Sequence, residues 1–244
     1  MAFDYLNYDE LLCIISDGTQ IIDTGISIQN YGTANNTNFE ILADMQYNSN
    51  SITDSVLFCL SSNHSNGAAS FGIGSSAGHS DFTYLLSSNA NYSVSDSGLG
   101  YDTNRHIFQM YRHLTSTEAN GFYIDYDYFR YSNIKVSTNY KRVAVFGRFW
   151  GVNAYNPTLL SNATLYSFSI SNDTETVASL KPAKRKADGV IGVYDTIREE
   201  FITSTVGNPF NYIPLTQPSN IYIKDNGTWK QGKPYVYDNG TWKS

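Results

Sequence analysis

Residues 163–170, Ala163-Thr164-Leu165-Tyr166-Ser167-Phe168-Ser169-Ile170, alternate in polarity and indicate the fold class of the chain. Successive side chains of a β-strand point to opposite faces. Leu165 and Ser167 are therefore expected on one face, and Tyr166, Phe168 and Ile170 on the other. A period of two residues predicts a half-buried strand rather than a helix.

Residues 121–129 show the clearest alternation: Gly121-Phe122-Tyr123-Ile124-Asp125-Tyr126-Asp127-Tyr128-Phe129. They predict a single strand that buries Phe122 and Ile124. Its other face would carry Asp125 and Asp127. We interpret this face as the outer polar surface of an edge strand.

Strand-like runs separated by turn residues continue along the chain, and no segment of helical length has a sustained 3.6-residue apolar period. The predicted strands span 11–15, 20–28, 38–46, 55–61, 69–73, 82–86, 105–113, 121–129, 142–147, 163–171, 176–181, 190–194 and 199–203. Many short strands without helices predict an all-β sandwich or barrel. We predict a two-sheet jelly-roll β-sandwich, and the 244 residues are enough for a full core.

The C-terminus contains a six-residue repeat, in which residues 225–230 (Asp-Asn-Gly-Thr-Trp-Lys) recur at 238–243. Asn-Gly favours the tight turn of a β-hairpin, and each copy follows a strand-forming run. The repeats therefore predict a short appendix of two Trp-bearing hairpins at 221–244. The stretch 214–220, with Pro214 and Pro218, predicts a linker, which leaves 1–213 for the sandwich.

Composition excludes some classes of partner. The net charge of −6 argues against nucleic acid, and no apolar run approaches the ~20 residues of a membrane span. The N-terminus shows no secretory signal. The basic cluster of Lys181, Lys184, Arg185 and Lys186 is interpreted as a solvated loop.

Cys13 and Cys59 both lie in apolar runs. We expect two buried thiols rather than a disulfide, because unpaired cysteine is among the most buried residue types.

Three segments, 16–26, 180–195 and 163–171, together resemble a known family. Residues 16–26 (Ser-Asp-Gly-Thr-Gln-Ile-Ile-Asp-Thr-Gly-Ile) resemble the opening strand pair of concanavalin A/laminin-G-like domains in phage tail proteins. Residues 180–195 (Leu-Lys-Pro-Ala-Lys-Arg-Lys-Ala-Asp-Gly-Val-Ile-Gly-Val-Tyr-Asp) resemble the closing segment of those domains. The strand at 163–171 is similar to their penultimate strand, and residues 105–108 are similar to a further strand, with Arg105 where Trp is usual.

The C-terminal hairpins also resemble those of tail proteins from phages that infect Gram-positive hosts. The resemblance implies a β-sandwich for carbohydrate binding or adhesion in a tail or baseplate, assembled in the host cytoplasm and carried on the virion. Other tail or baseplate subunits are the implied protein partners. A homotrimer would favour a receptor-binding role, because multivalency strengthens weak sugar contacts.

The chain lacks the familiar catalytic motifs, including a Gly-x-Ser-x-Gly elbow and a His-Glu-x-x-His zinc site. We therefore expect no enzymatic activity, and glycan hydrolysis is the least favoured function. No cofactor or metal is predicted, although calcium, which laminin-G-like domains often hold, is a minor alternative. Its candidate ligands are the loop acids Asp81, Asp96, Asp102 and Asp173.

Sugar binding requires an aromatic platform beside planar polar side chains. One strand end and loop supplies this combination, with the candidate binding residues Arg148, Trp150, Asn153, Tyr155 and Asn156. The alternative is that Phe149 and Trp150 fill the core. A second candidate surface carries Tyr84, Tyr92 and Tyr101, together with Asn89 and Asn91. The sequence thus predicts a module that binds a host cell-surface glycan, with a structural tail adapter as the alternative.

Overall fold

The computed structural model describes residues 3–26, 39–62, 70–88, 91–112, 120–125, 127–131, 140–150, 156–172, 175–215, 221–225, 228–232, 236–238 and 241–243. The first eleven strands are β1 (Tyr8–Ile15), β2 (Ile22–Asp23), β3 (Phe39–Tyr47), β4 (Ser55–Ser62), β5 (Ser70–Ser75), β6 (Asp81–Ser88), β7 (Asn91–Gly100), β8 (His106–Arg112), β9 (Asn120–Ile124), β10 (Asp127–Tyr131) and β11 (Tyr140–Val145). The remaining strands are β12 (Arg148–Trp150), β13 (Asn156–Thr158), β14 (Ala163–Asn172), β15 (Thr176–Arg185), β16 (Ile191–Asp195), β17 (Glu200–Ile202), β18 (Asn211–Pro214), β19 (Ile221–Asp225), β20 (Thr228–Gly232), β21 (Val236–Asp238) and β22 (Thr241–Lys243). These ranges contain no helix, which confirms the all-β prediction.

The strands form two main antiparallel sheets. The larger has ten strands in the order β10-β9-β8-β3-β14-β1-β15-β16-β17, with β18 paired to β1. The smaller has six strands in the order β2-β11-β4-β5-β6-β7. The pairs β12–β13, β19–β20 and β21–β22 form separate two-stranded sheets.

Strand β1 lies in a fork between β14 and β15. These two strands pair near their connection, where Phe168 is opposite Leu180, and separate farther from it. Residues 8–10 of β1 pair with β15, and residues 14–15 pair with β14, antiparallel in both cases. Residues 11–15 of β1 also pair with β18. As a result, β1 joins the two halves of the large sheet and receives β18.

The hydrophobic core lies between the two main sheets. On β3 the odd-numbered side chains are buried, and the even-numbered ones point outward. Phe58 of β4 meets Phe168 of β14 edge-on, with ring centroids 5.6 Å apart. Phe82 of β6 likewise meets Phe108 of β8 at 5.4 Å. Because these contacts cross from one sheet to the other, the architecture is consistent with a β-sandwich.

A β-bulge in β14 changes the predicted facing of this strand. Leu165 pairs with Met45 of β3, but the next pair is Ser167 with Asp44, so Tyr166 is the extra residue. Leu165 and Phe168 consequently both reach the core. Tyr166 is only partly buried, and its hydroxyl donates a hydrogen bond to Oε1 of Gln46 on β3. The prediction that Leu165 and Phe168 face opposite ways is wrong, because strict alternation does not anticipate an inserted residue.

The predicted single strand at 121–129 is also wrong. It is a hairpin of β9 and β10, in which Ile124 pairs with Asp127. Asp125 lies in the turn with a φ of 51°, a conformation that aspartate tolerates better than most residues. Asp125 and Asp127 therefore do not share the face of one strand.

Two of the segments that carry the family resemblance, 16–26 and 180–195, are connected by polar contacts. Buried Asp195, the last residue of β16, forms an ion pair with Arg198 (2.6 Å), whose guanidinium also donates to the carbonyl of Thr24. Gln20 donates to the carbonyl of Asn208. These bonds connect residues 16–26 to the chain that follows residues 180–195.

Cys13 and Cys59 are both buried and are not joined by a disulfide, which confirms the prediction of two buried thiols. Burial raises the pKa of the Cys13 thiol. Because a thiol reacts mainly as its thiolate, this shift disfavours reaction at neutral pH.

The predicted C-terminal hairpins are present. In the first, Asp225 pairs with Thr228, and in the second, Asp238 pairs with Thr241. The predicted linker begins at Pro214, the last residue of β18. Residues 216–220 of that linker lie outside the described part of the chain.

Candidate functional site

The first sequence-predicted site falls on the β12–β13 hairpin. Arg148 pairs with Thr158, and Trp150 pairs with Asn156, so two of its candidate residues are neighbours across the hairpin. Arg148 is buried, with 8% of its surface exposed. The side chains of Trp150 and Asn156, and all of Asn153 and Tyr155, lie outside the described residues.

Phe149, between Arg148 and Trp150, belongs to a small hydrophobic cluster with Ile21 and Val56. The alternative interpretation was that Phe149 and Trp150 fill the core. The structure confirms it for Phe149.

The backbone is unusual at both ends of this hairpin. Phe146 has a φ of 68° and Leu159 a φ of 50°, values that are uncommon for residues other than glycine. The Phe146 amide donates to the carbonyl of Leu57, and the carbonyl of Leu159 accepts from the amide of Val56. Both bonds tie the base of the hairpin to β4. Such strained positions occur frequently at functional sites.

The second sequence-predicted surface is spread over two strands and a loop. Tyr84 lies on β6 and Tyr92 on β7, and their side chains are outside the described set. Tyr101 follows β7, and its ring contacts Tyr47 at 4.9 Å between centroids. Its hydroxyl donates to the carbonyl of Ser49, and burial raises its pKa to about 12. Tyr101 thus packs against β3 and hydrogen-bonds to the loop that follows it.

Sequence reasoning missed a groove on the outer face of the large sheet. The groove consists of two adjoining cavities of about 430 and 270 Å³ that share Glu10, Leu11 and Leu215. We call the larger cavity the β18 cavity, because β18 forms one of its walls. It is lined by Tyr5, Tyr8, Asp9, Glu10, Leu11, Lys184, Lys186, Tyr212, Pro214 and Leu215.

The smaller cavity extends the groove towards β3 and β14. Here Arg105 makes two hydrogen bonds with the carboxylate of Asp44, at 2.5 and 2.7 Å. Its guanidinium also lies 3.9 Å from the ring centroid of Tyr166, within the range of a cation–π contact. Lys181 of β15 also lines this cavity. This end therefore presents a planar cation, a carboxylate and a phenol side by side.

The basic cluster at 181–186 does not form a solvated loop as predicted. Lys181, Lys184 and Arg185 lie on β15, and Lys181, Lys184 and Lys186 line the groove. The prediction failed because β15 pairs with β1, and the lysines beside this pairing line a cavity. Period-two spacing of Lys184 and Lys186 was the only sequence signal that they share a face.

A second polar cluster surrounds His106 at the start of β8. Its Nδ1 lies 2.5 Å from Oδ2 of Asp125, and its Nε2 lies 2.7 Å from Oδ1 of Asp102. Burial of the ring acts to lower its pKa, but the bonds to Asp102 and Asp125 outweigh this effect and raise it. Both ring nitrogens face carboxylates, an arrangement that favours the doubly protonated imidazolium. The cluster joins the loop before β8 to the β9–β10 turn.

Among the described residues, the candidate calcium ligands form no metal-binding group. Asp81 and Asp96 lie on strands β6 and β7, Asp102 binds His106, and Asp173 is outside the described residues. Across the described ranges, no group of three or more His, Cys, Asp or Glu side chains is arranged to hold a metal ion. The same ranges include no helix with the length and apolar character required to cross a membrane.

Comparison with known proteins finds a solved structure of low similarity. No protein-family model matches the chain, and no curated protein matches it. Among solved structures, the chain is similar to a crystal structure of Scytalido-glutamic peptidase with a peptide-based transition-state analogue. The match covers 82% of this chain and 100% of that chain, with 11% sequence identity and a TM-score of 0.35.

This match contradicts the prediction that the chain is not an enzyme, because a similar chain is a peptidase. Missing motifs were an insufficient basis for excluding catalysis, since an active site can be assembled from residues far apart in sequence. A TM-score of 0.35 is too low to transfer an activity or a catalytic residue to this chain.

Proposed function

We propose that this protein is a carbohydrate-binding module of a phage tail or baseplate that attaches the virion to a glycan on the host surface. In this proposal the sandwich is a jelly roll of the concanavalin A/laminin-G-like type, and the protein acts as a receptor-binding component. The sequence support is the resemblance of residues 16–26 and 180–195 to such domains, together with the repeated Trp-bearing hairpins.

The observation that carries the proposal is the groove across β1, β15 and β18. A pyranose has an apolar face and a rim of hydroxyl groups, so its binding sites combine aromatic rings with polar side chains. The β18 cavity offers Tyr5, Tyr8 and Tyr212 beside charged groups, and its volume of about 430 Å³ falls within the usual range for ligand sites. Tyr212 is 39% exposed, which leaves its ring accessible to a sugar.

A printed array of bacterial glycans, probed with the full chain, tests the proposal. We expect binding to at least one glycan, and we expect Tyr212→Ala to weaken it about tenfold, equivalent to about 1.4 kcal/mol. Leu42→Ala is the matched control, because Leu42 is 38% exposed on the same sheet and does not line the groove. Failure of the array to capture the protein would count against the proposal.

The sequence-predicted site on the β12–β13 hairpin is a second location for the same function. If Trp150 is a sugar platform, Trp150→Ala abolishes binding with little change in stability. If Trp150 belongs to the core, the same substitution lowers the unfolding free energy by about 3–5 kcal/mol. Melting temperature and glycan binding measured on one preparation distinguish these two roles of Trp150.

The alternative is a structural adapter whose partners are other tail or baseplate subunits. It is favoured by exposed apolar side chains at Leu12, Leu42 and Ile213, because exposed apolar surface is characteristic of protein contacts. Under this alternative the glycan array does not capture the chain, and Leu42→Ala weakens subunit association measured by light scattering. A homotrimer that also binds a glycan would instead favour the receptor-binding role.

A further inference from the structure

The charges of the β18 cavity are not all neutralised within the protein. Burial opposes ionisation of Glu10, but hydrogen bonds from Tyr5 and Lys181 bring its pKa below the usual value. Glu10 is therefore ionised at neutral pH, and it accepts from Lys181 Nζ at 2.9 Å. The carboxylate of Asp9 lies 3.6 Å from Lys186 Nζ. Both acidic groups of the cavity thus have a cation of the protein beside them.

Lys184 is different. It lies opposite Asp9 in the register of β1 and β15, yet the Asp9 carboxylate is beside Lys186. Within the described ranges Lys184 has no carboxylate within 4.0 Å, and its Nζ lies 5.6 Å from the ring centroid of Tyr212. Lys184 is also only partly exposed. The cavity therefore contains an ammonium group next to an aromatic ring, and no carboxylate among the described residues forms an ion pair with it.

We propose that the β18 cavity selects an anionic saccharide unit, with the sugar ring against Tyr212 and a carboxylate or phosphate group at Lys184. This inference rests on the proposed carbohydrate-binding function and specifies that the bound saccharide carries a negative charge. An opposite charge is attracted strongly at such a site, because partial burial reduces screening by solvent. Asp9 and Glu10 can accept hydrogen bonds from sugar hydroxyl groups, and the ammonium groups of Lys186 and Lys181 beside them offset their repulsion of an anionic ligand.

The test titrates the full chain, observed by NMR, with three defined probes: glucose, glucuronate and glucose 6-phosphate. We expect one or both anionic probes to bind about tenfold more tightly than glucose in low salt, with the preference shrinking as ionic strength rises. Comparison of glucuronate with glucose 6-phosphate distinguishes a uronic acid from a sugar phosphate as the source of the negative charge.

Substitutions then locate the effect. Lys184→Gln should abolish the preference for the anionic probe, and Lys184→Arg should retain most of it. Arg185→Gln is the matched control, because it changes the net charge equally on the adjacent residue. Arg185 binds Asp188 and does not line the cavity. The control should leave the preference intact.

Four outcomes would overturn the inference. Equal binding of all three probes, or an unchanged preference in Lys184→Gln, removes the charge selection and leaves carbohydrate binding in place. Failure of both anionic probes to bind, in a protein that the glycan array captures, excludes an anionic unit from this cavity. Failure on the array as well refutes the proposed function itself.

Discussion

Replacing His106 with phenylalanine should destabilise the protein in a pH-dependent manner. The imidazole lies edge-on to Phe82 and Phe108, with ring centroids 5.3 and 5.8 Å away. Phenylalanine keeps an aromatic ring in this position and removes both bonds to the carboxylates of Asp102 and Asp125. The substitution therefore separates the polar contribution of His106 from its packing.

The size of the effect follows from the exposure of the three partners. The His106 side chain is 9% exposed, whereas those of Asp102 and Asp125 are 40% and 48% exposed. Hydrogen bonds to charged groups contribute about 1.5–3 kcal/mol when well buried, and exposed ion pairs contribute about 0–1 kcal/mol. About 1 kcal/mol for each bond is a suitable intermediate, which gives about 2 kcal/mol in total. In a chain of this size the melting temperature should fall by roughly 4–8 °C.

The sign of the pH dependence follows from the raised pKa of His106. The stabilisation is fully present below the unfolded-state pKa of about 6.5 and is lost as pH rises through the higher folded-state value. On the acid side, burial opposes ionisation of Asp102, but hydrogen bonds from His106 and Asn104 lower its pKa. The contribution of Asp102 is therefore present above about pH 3.9 and is lost as pH falls through its lower folded-state pKa.

Urea denaturation of the natural protein and the His106→Phe variant between pH 5 and 9 measures this difference directly. The difference in unfolding free energy should be largest near pH 5–6 and should shrink towards pH 9. His79→Phe serves as a control for loss of a histidine elsewhere. A constant difference across the range would refute the assignment of the effect to a charged imidazole.

Three further outcomes are expected. Asp195→Ala should cost about 3–5 kcal/mol in urea denaturation, because it leaves the Arg198 guanidinium without its buried partner; a loss below 1 kcal/mol would show that water replaces the carboxylate. Gly207→Ala should lower stability by at least about 1–3 kcal/mol, since φ is 77° and the added Cβ would lie 2.2 Å from the carbonyl oxygen of Thr19; the same measurement on Gly100→Ala, where nothing lies within 4 Å, should show a much smaller change. Truncation after Asn220 should leave a domain that unfolds cooperatively in calorimetry, because two hairpins bury little surface, and an insoluble product would contradict this.

The fold class could be predicted because it depends on local periodicity. The strand-forming runs at 38–46 and 163–171 and the absence of helical spacing are properties of neighbouring residues, and strands β3 and β14 form at these positions. The terminal hairpins could be predicted for the same reason, since an Asn-Gly pair between two strand-forming runs acts within a few residues. The buried position of Cys13 and Cys59 likewise follows from the apolar residues around them.

Local periodicity misled where a single residue changed the geometry. The bulge at Tyr166 and the turn at Asp125 each interrupt a stretch that alternates well in sequence. An inserted residue or a positive φ is stabilised by the partner strand and by groups such as His106, which lies 19 residues before Asp125. A pattern that considers only adjacent residues contains no information about such partners.

The sequence by itself determined that this chain forms β-strands with an apolar core and two terminal hairpins, because these properties depend on interactions between near neighbours. Only the tertiary structure decided that β1 lies in the fork of β14 and β15, that β18 pairs with β1, and that Lys184 and Tyr212 meet across a cavity. The physical reason is that a groove is made by residues far apart in the chain. Its shape and charge exist only after the sheet has assembled.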